Sequence, residues 1–165
     1  MINIENIRIK GLVDEDFINY KRPSMYIATC FCDWKCCNDL NLDVSICQNS
    51  KLAESEIKSI PIKHLFDRYM KNPITKSIVF GGLEPLIQMD ELLVFIEYFR
   101  NHGCYDDIII YSGYDEYEIP IQIAELSRFE NIIVKFGRYI PDSRPIFDKV
   151  LGKELVSENQ YAKRI

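Results

Sequence analysis

Short apolar runs and longer stretches with apolar residues at helical spacing alternate along this chain of 165 residues. Four of the short runs are rich in β-branched and aromatic residues, and glycine or polar residues follow them, which is typical of buried strands. These runs predict core strands at residues 25–29, 76–80, 107–111 and 131–136. An alternating stretch at residues 2–12 predicts one or two edge strands before them.

The stretches between the core strands predict helices. The most regular one covers residues 90–101, where Asp90 suits the N-cap and Gly103 suits the C′ position. Two others are expected to begin near Pro61 and near Pro120, because proline is tolerated at the start of a helix.

Strands that alternate with helices predict a parallel sheet with right-handed crossovers. Four core strands are too few for a closed barrel. We therefore expect an α/β fold with a mostly parallel sheet that forms an open, partial (βα) barrel, in a single domain spanning residues 1–165. Residues 51–59 are expected to form a solvated connection, and the tail from residue 141 is expected to be mostly irregular.

Cysteine is concentrated in one place. Five of the six cysteines lie within eighteen residues, directly after the first core strand: Cys30, Cys32, Cys36, Cys37 and Cys47. Thiols at this density usually hold a metal or a cluster, or form disulfides. The carboxyl end of a parallel strand is also where open α/β sheets build their sites. Cys104 lies far away after a helix, and we expect it to be a buried hydrophobic residue.

Charge and hydropathy narrow the function classes. The net charge is −5 and there is no basic run, so nucleic acid is not an expected partner. The longest apolar runs are too short to span a bilayer, and the first residues lack the pattern of a signal peptide. We therefore expect a cytoplasmic protein without a membrane partner. Thiols stay reduced there, so the clustered cysteines favour a metal or cluster over disulfides.

The spacing of the cysteines resembles a known motif. Three residues separate Cys32 from Cys36, and Cys47 opens a Cys-Gln-Asn triplet. This resembles the iron–sulfur motif of the radical S-adenosylmethionine (radical SAM) superfamily, whose usual pattern is C-x3-C-x2-C. Asp39 stands where the third cysteine is expected, so we interpret residues 38–46 as an insertion that displaces this ligand to Cys47.

The resemblance implies a 4Fe-4S cluster held by Cys32, Cys36 and Cys47. Three protein thiolates leave one iron free to bind S-adenosylmethionine, whereas four would close the cluster. Cys30 remains an alternative to Cys32, because an ungapped alignment of the preceding strand slightly favours it.

Three further motifs follow in order along the chain. FGGLEP, at residues 80–85, looks like the GGEP-type motif of radical SAM proteins, and its glycines let a ligand approach the backbone. IYSGYDEYE, at residues 110–118, is similar to the Tyr-Thr-Gly-Tyr stretch of the anaerobic ribonucleotide reductase activating proteins. VKFGRYI, at residues 134–140, and the terminal SENQYAKRI look like the V-D-G-R-F and S-x-N-Q-R segments of the same family.

The resemblance also implies binding roles for individual residues. Gly81, Gly82 and Glu84 would hold the methionine end of S-adenosylmethionine. Ser112 and Tyr114 would face its ribose or adenine. The remaining residue implied to contact the adenine is Ile46.

The activity implied is that of a radical SAM oxidoreductase, a glycyl radical enzyme activating enzyme. Reductive cleavage of S-adenosylmethionine would give a 5′-deoxyadenosyl radical that generates a glycyl radical on a partner such as anaerobic ribonucleotide reductase. The implied electron donor is a small flavin protein such as flavodoxin.

Two other interpretations remain open from the sequence. Cys32, Cys36, Cys37 and Cys47 could bind a structural zinc ion in a cytosolic α/β binding domain. The absence of paired C-x2-C motifs counts against this. Alternatively, the chain is a catalytically inactive relative that serves as a binding subunit, which the displaced third cysteine keeps open.

Overall fold

The computed structural model describes residues 5–165, and ten strands and five α-helices lie within that range. The strands are β1 (Asn6–Ile9), β2 (Gly11–Asp16), β3 (Ser24–Thr29), β4 (Lys58–Pro61), β5 (Ser77–Gly82), β6 (Asp107–Tyr111), β7 (Ile132–Phe136), β8 (Ile146–Asp148), β9 (Lys153–Leu155) and β10 (Tyr161–Arg164). The helices are α1 (Lys35–Asp39), α2 (Ser50–Ala53), α3 (Ile62–Lys71), α4 (Met89–Asn101) and α5 (Pro120–Leu126). Of the predicted edge segment, Ile2 and Ile4 lie outside the described residues.

A six-stranded sheet in the order β10-β7-β6-β5-β3-β2 forms the centre of the molecule. The four middle strands are parallel and correspond to the four predicted core strands. The two outer strands, β2 and β10, pair antiparallel with their neighbours. Because the parallel strands follow one another in chain order, each right-handed crossover places its helix on the same face. Among the described strands the two edges do not pair, so the sheet is open.

The two faces of the sheet are covered by different elements. On one face, strand residues such as Phe80 and Ile110 pack against α3, α4 and α5, including Phe95 and Phe99. Alternate residues of the same strands, such as Val79, point to the other face and contact a second cluster. This cluster includes Tyr20, Leu151, Leu155 and Ala162, so the C-terminal segment covers that face.

The tail from residue 141 is irregular over more than half of its length, as expected, but it also contains three short strands that the sequence did not predict. Strands β8 and β9 form an antiparallel pair, and β10 joins the edge of the main sheet with Tyr161 opposite Phe136. These strands are only three or four residues long, which is too short to produce a clear alternating pattern. Residues 51–59 are not only a connection, since they include most of α2 and the first two residues of β4.

The ends of helix α4 agree with the sequence in part. Gly103 has φ 82°, the Gly103 amide donates to Arg100 O and the Cys104 amide donates to Phe99 O, which is the Schellman arrangement expected there. The N-cap prediction was wrong, because a 3-10 turn at Pro85–Gln88 leads directly into the helix and makes Gln88 the N-cap. Asp90 instead lies in the first turn, where a carboxylate favours the helix dipole.

Candidate functional site

A cavity of about 530 Å³ opens at the carboxyl ends of the parallel strands. It is lined by residues from the cysteine loop after β3 and from the ends of β5, β6 and β7. Most of the residues predicted for the site line it together: Cys32, Cys36, Ile46, Cys47, Gly81, Gly82, Glu84 and Ser112. The exceptions are Tyr114 and the alternative ligand Cys30. Segments more than eighty residues apart in the sequence thus meet at one edge of the sheet.

The sulfur atom of each of the three predicted ligands accepts a hydrogen bond from a backbone amide. Trp34 N donates to Cys32 Sγ at 3.3 Å, and Asn49 N donates to Cys47 Sγ at 3.4 Å. The amide of Tyr139 donates to Cys36 Sγ. Hydrogen bonds to sulfur are among the features by which proteins adjust iron–sulfur clusters. The donor set therefore fits a cluster bound by these three thiolates.

The turn between the first two of these cysteines has an unusual backbone. Trp34 has φ 59°, a left-handed conformation that is uncommon for residues other than glycine. This conformation ends the turn after Cys32 and places Trp34 at the N-cap of α1, which then carries Cys36 and Cys37. The Trp34 amide points at Cys32 Sγ as a consequence.

Burial disfavours the charged form of these thiols. It raises the pKa of Cys32 to about 12, although the Trp34 amide acts in the opposite direction. Burial also raises the pKa of Cys36 and of Cys37. A coordinated metal deprotonates a thiol outright, so binding of a cluster would convert these groups to thiolates and release protons.

The two remaining cysteines of the loop differ in position. Cys30 is 4% exposed and does not line the cavity, and its amide donates to Gln88 Oε1 at 2.6 Å. The charged groups that act on its thiol are Glu91 of α4, Arg8 of β1 and Lys10, which follows β1. Cys37 does line the cavity and accepts a hydrogen bond from the Cys47 amide. The geometry supports Cys32 over Cys30 as a ligand, and the ligand set itself stays a prediction.

Glu84 is buried beside the cavity and binds the backbone of two loops. Its Oε2 accepts from Gly113 N at 2.8 Å, and its Oε1 accepts from Leu86 N at 3.2 Å. The Ser112 hydroxyl also donates to it. Burial raises the pKa of Glu84 to about 7, and these hydrogen bonds partly offset that effect. An ionised carboxylate has about four acceptor sites, so Glu84 keeps capacity for a ligand's ammonium group.

The two predicted glycines lie within β5 rather than beyond it. Gly82 has φ 81°, and a Cβ atom there would lie 2.8 Å from Leu52 Cδ2. The Asn49 side-chain amide donates to the Gly82 carbonyl oxygen. The segment that carries Cys47 is therefore attached directly to the end of β5, which only glycine allows at this distance and backbone conformation.

Tyr114 has a different position from the predicted one. Its hydroxyl donates to Asp33 in the cysteine loop, and it does not line the cavity. The ring packs against the main hydrophobic core, so the side chain connects the turn after β6 to the cysteine loop.

A second contact between these loops is formed by Arg138. Its guanidinium nitrogens lie 2.8 Å from Asp39, 2.9 Å from Asp115 and 2.6 Å from Glu118. Asp39 ends α1, whereas the other two acids follow β6. Arg138 therefore holds the cysteine-bearing helix against the ends of β6 and β7.

Two residues of the site were not predicted. Gly113 lies against the predicted ligands, since a Cβ atom there would be 2.8 Å from Cys36 Sγ and 3.7 Å from Glu84 Oε2. Lys135 is 7% exposed and lines the cavity from β7. Its signal in the sequence was a single charged residue inside an otherwise apolar strand.

Within residues 5–165, no group of three or more His, Cys, Asp or Glu side chains is arranged around a single metal ion. No helix described in the same range is long and apolar enough to cross a membrane.

The clustered thiols and the amide donors around one cavity fit an iron–sulfur protein. Residues 21–155 match the model of the 4Fe-4S single cluster domain family, and the chain belongs to that family. A 4Fe-4S cluster is therefore its cofactor. No curated protein and no solved structure matches the chain.

Proposed function

We propose that this iron–sulfur protein is a radical SAM enzyme that activates a glycyl radical enzyme. One observation carries the proposal: the three cysteine thiols, the Gly81-Gly82 end of β5, Glu84 and Ser112 line the same cavity. When bound, the cluster and S-adenosylmethionine would supply one-electron reduction and a 5′-deoxyadenosyl radical, which abstracts a hydrogen atom from a glycine of the partner.

The residues of this chain would hold and enclose the two cofactors. Cys32, Cys36 and Cys47 would each bind one iron, which leaves one iron for the amino and carboxylate groups of S-adenosylmethionine. Glu84 would accept hydrogen bonds from the amino group, next to the β5 glycines that allow close approach. The cavity volume of about 530 Å³ is within the ordinary range for small-molecule sites.

The fold supports the same proposal. The four parallel strands follow chain order, and the helices α3, α4 and α5 pack on one face of the sheet. We propose that this is an open, partial (βα) barrel of the radical SAM type. The site then lies at the carboxyl ends of its strands, as is usual for (βα) architectures.

The proposed partner is a glycyl radical enzyme such as anaerobic ribonucleotide reductase, and the proposed electron donor is a flavodoxin-like protein in the cytoplasm. The order of four family motifs along the chain supports this choice. Around the cavity, the exposed side chains of Ile46, Tyr139 and Val156 provide an apolar rim suited to a peptide loop.

The test is anaerobic reconstitution followed by analysis of iron, sulfide and zinc. Dithionite and S-adenosylmethionine are then added, and 5′-deoxyadenosine is measured. About four irons per chain together with 5′-deoxyadenosine would support the proposal. A full cluster without cleavage would indicate a catalytically inactive binding subunit, and one zinc without iron would contradict both the family assignment and the proposal.

Single alanine variants test the ligand set. Cys47→Ala should lose the cluster, as should Cys32→Ala and Cys36→Ala. Cys30→Ala should retain it, because Cys30 lies outside the cavity. Cys104→Ala is the matched control, since Cys104 is equally buried but lies at the far end of α4. A full cluster in Cys47→Ala would contradict the displaced-ligand interpretation.

A further inference from the structure

Lys135 is a buried cation at the cavity wall that the proposed chemistry does not yet use. Its ammonium group donates to Gly137 O at 2.8 Å and to Ser112 O at 3.3 Å. An ammonium has three donors, so one N–H bond remains for the cavity that the side chain lines. A buried lysine without a carboxylate bound to it is rare, because desolvation of the charge is costly.

The charges that face Lys135 come from several elements. Cys36 of α1, Glu84 after β5 and Asp115 after β6 attract its charge, whereas Lys153 of β9 repels it. In return, the Lys135 charge favours the thiolate form of Cys36. Lys135 therefore lies close enough to a proposed cluster ligand for their charges to interact.

Reduction of the cluster adds a negative charge at this place. In the oxidised state, three thiolates already outweigh the positive charge of the iron–sulfur core. One electron from the reductant makes the site more negative by one unit, and no bond is broken. Net charge is one of the factors that set the potential of iron–sulfur clusters, and a charge interaction is strong where water is excluded.

We propose that Lys135 is a positioning residue for charge: its buried ammonium stabilises the reduced state of the 4Fe-4S cluster and raises the reduction potential. It touches neither substrate nor a reacting atom in this role. The inference rests on the cluster alone, so it holds whether or not the protein cleaves S-adenosylmethionine.

The experiment compares midpoint potentials of reconstituted protein by EPR-monitored redox titration, without S-adenosylmethionine. Lys135→Met and Lys135→Gln both remove the charge, and Gln keeps an N–H donor for the two carbonyl oxygens. Lys135→Arg keeps the charge. Lys63→Met is the control for net charge, because the Lys63 side chain is exposed on α3 and pairs with Asp67.

Both neutral variants should have a more negative midpoint potential than the wild type. At a solution potential that half-reduces the wild-type cluster, their EPR signal should be well below half of its maximum. Lys135→Arg and Lys63→Met should titrate like the wild type. An unchanged potential in both neutral variants would overturn the proposal, and so would a Gln variant that behaves like the wild type while only Met is shifted.

Iron and sulfide analysis of each variant separates these results from cluster loss. If Lys135→Met binds no cluster, the comparison of Gln with Arg still decides the effect of charge. If the potentials shift as expected but no variant, nor the wild type, forms 5′-deoxyadenosine, the proposed enzyme function fails and the role of Lys135 stands.

Discussion

A methyl group at position 113 should displace one of the proposed cluster ligands. A Cβ atom at Gly113 would lie 2.8 Å from Cys36 Sγ, whereas ordinary contacts begin at 3.4 Å. The sulfur or the loop must therefore move by roughly 0.6–1 Å. The backbone itself accepts alanine, because Gly113 is not among the residues with positive φ. The strain therefore falls on the contact with Cys36.

The size of the effect follows from the cost of overpacking. Such insertions cost about 1–3 kcal/mol, which corresponds to a roughly 5- to 150-fold loss in cluster affinity if the strain is felt by the bound state. The assay is anaerobic reconstitution of Gly113→Ala, followed by competition with an iron chelator. Iron retained per chain is measured against chelator concentration, and urea unfolding of the metal-free protein reports the stability of the fold.

Gly103→Ala provides the matched control. Gly103 has φ 82°, and a Cβ atom there would have no other atom within 4 Å, so alanine strains only the backbone, far from the site. This variant should lose roughly 1 kcal/mol of unfolding free energy and keep normal iron binding. Gly113→Ala with wild-type resistance to the chelator would refute the placement of Cys36 as a ligand. Equal iron loss in both variants would mean that iron binding reports only the stability of the fold.

Two further predictions concern charged groups. Arg138→Met should lower iron occupancy, because it removes the contacts that join Asp39 of α1 to Glu118 in the loop after β6. Arg138→Lys keeps the charge and should have a smaller effect. Iron content after gel filtration measures both. Burial raises the pKa of Glu84 to about 7, so the folded metal-free chain binds this proton more tightly than the unfolded chain. Its unfolding free energy should therefore fall as the pH rises from 5 to 7, by roughly 3 kcal/mol at most. Urea unfolding of Glu84→Gln should show a flatter dependence of this free energy on pH. An equal slope in both proteins would contradict the raised pKa.

Hydrophobic pattern located the centre of the sheet but not its edges. The four parallel strands are buried on both faces, so they appear in the sequence as continuous apolar runs. The C-terminal strands are different, because each has only three or four residues and a single buried one, so their pattern cannot be distinguished from that of a loop. Their position could be found only from the structure, in which they cover one face of the sheet and extend its edge.

Motif spacing located the site residues but not the directions of their side chains. Strand ends in a parallel sheet meet at one edge, so Cys32, Glu84 and Ser112 could be expected together. Whether a side chain beyond a strand end turns inward or outward depends on the following turn. Tyr114 donates to Asp33 and does not line the cavity, whereas Lys135, one residue inside the end of β7, does line it.

The structure adds most to the sequence at Cys47, the proposed third ligand. An insertion would be expected to carry Cys47 away from the other cysteines, yet Cys47 lines the same cavity as Cys36. The short turn at Val44–Ile46 brings the chain back, and the Asn49 side chain binds the carbonyl oxygen of Gly82. Residues 38–46, which we interpret as an insertion, are therefore followed by contacts with the glycine motif, and these contacts rather than the spacing from the other cysteines explain how Cys47, the proposed third ligand, reaches the cavity.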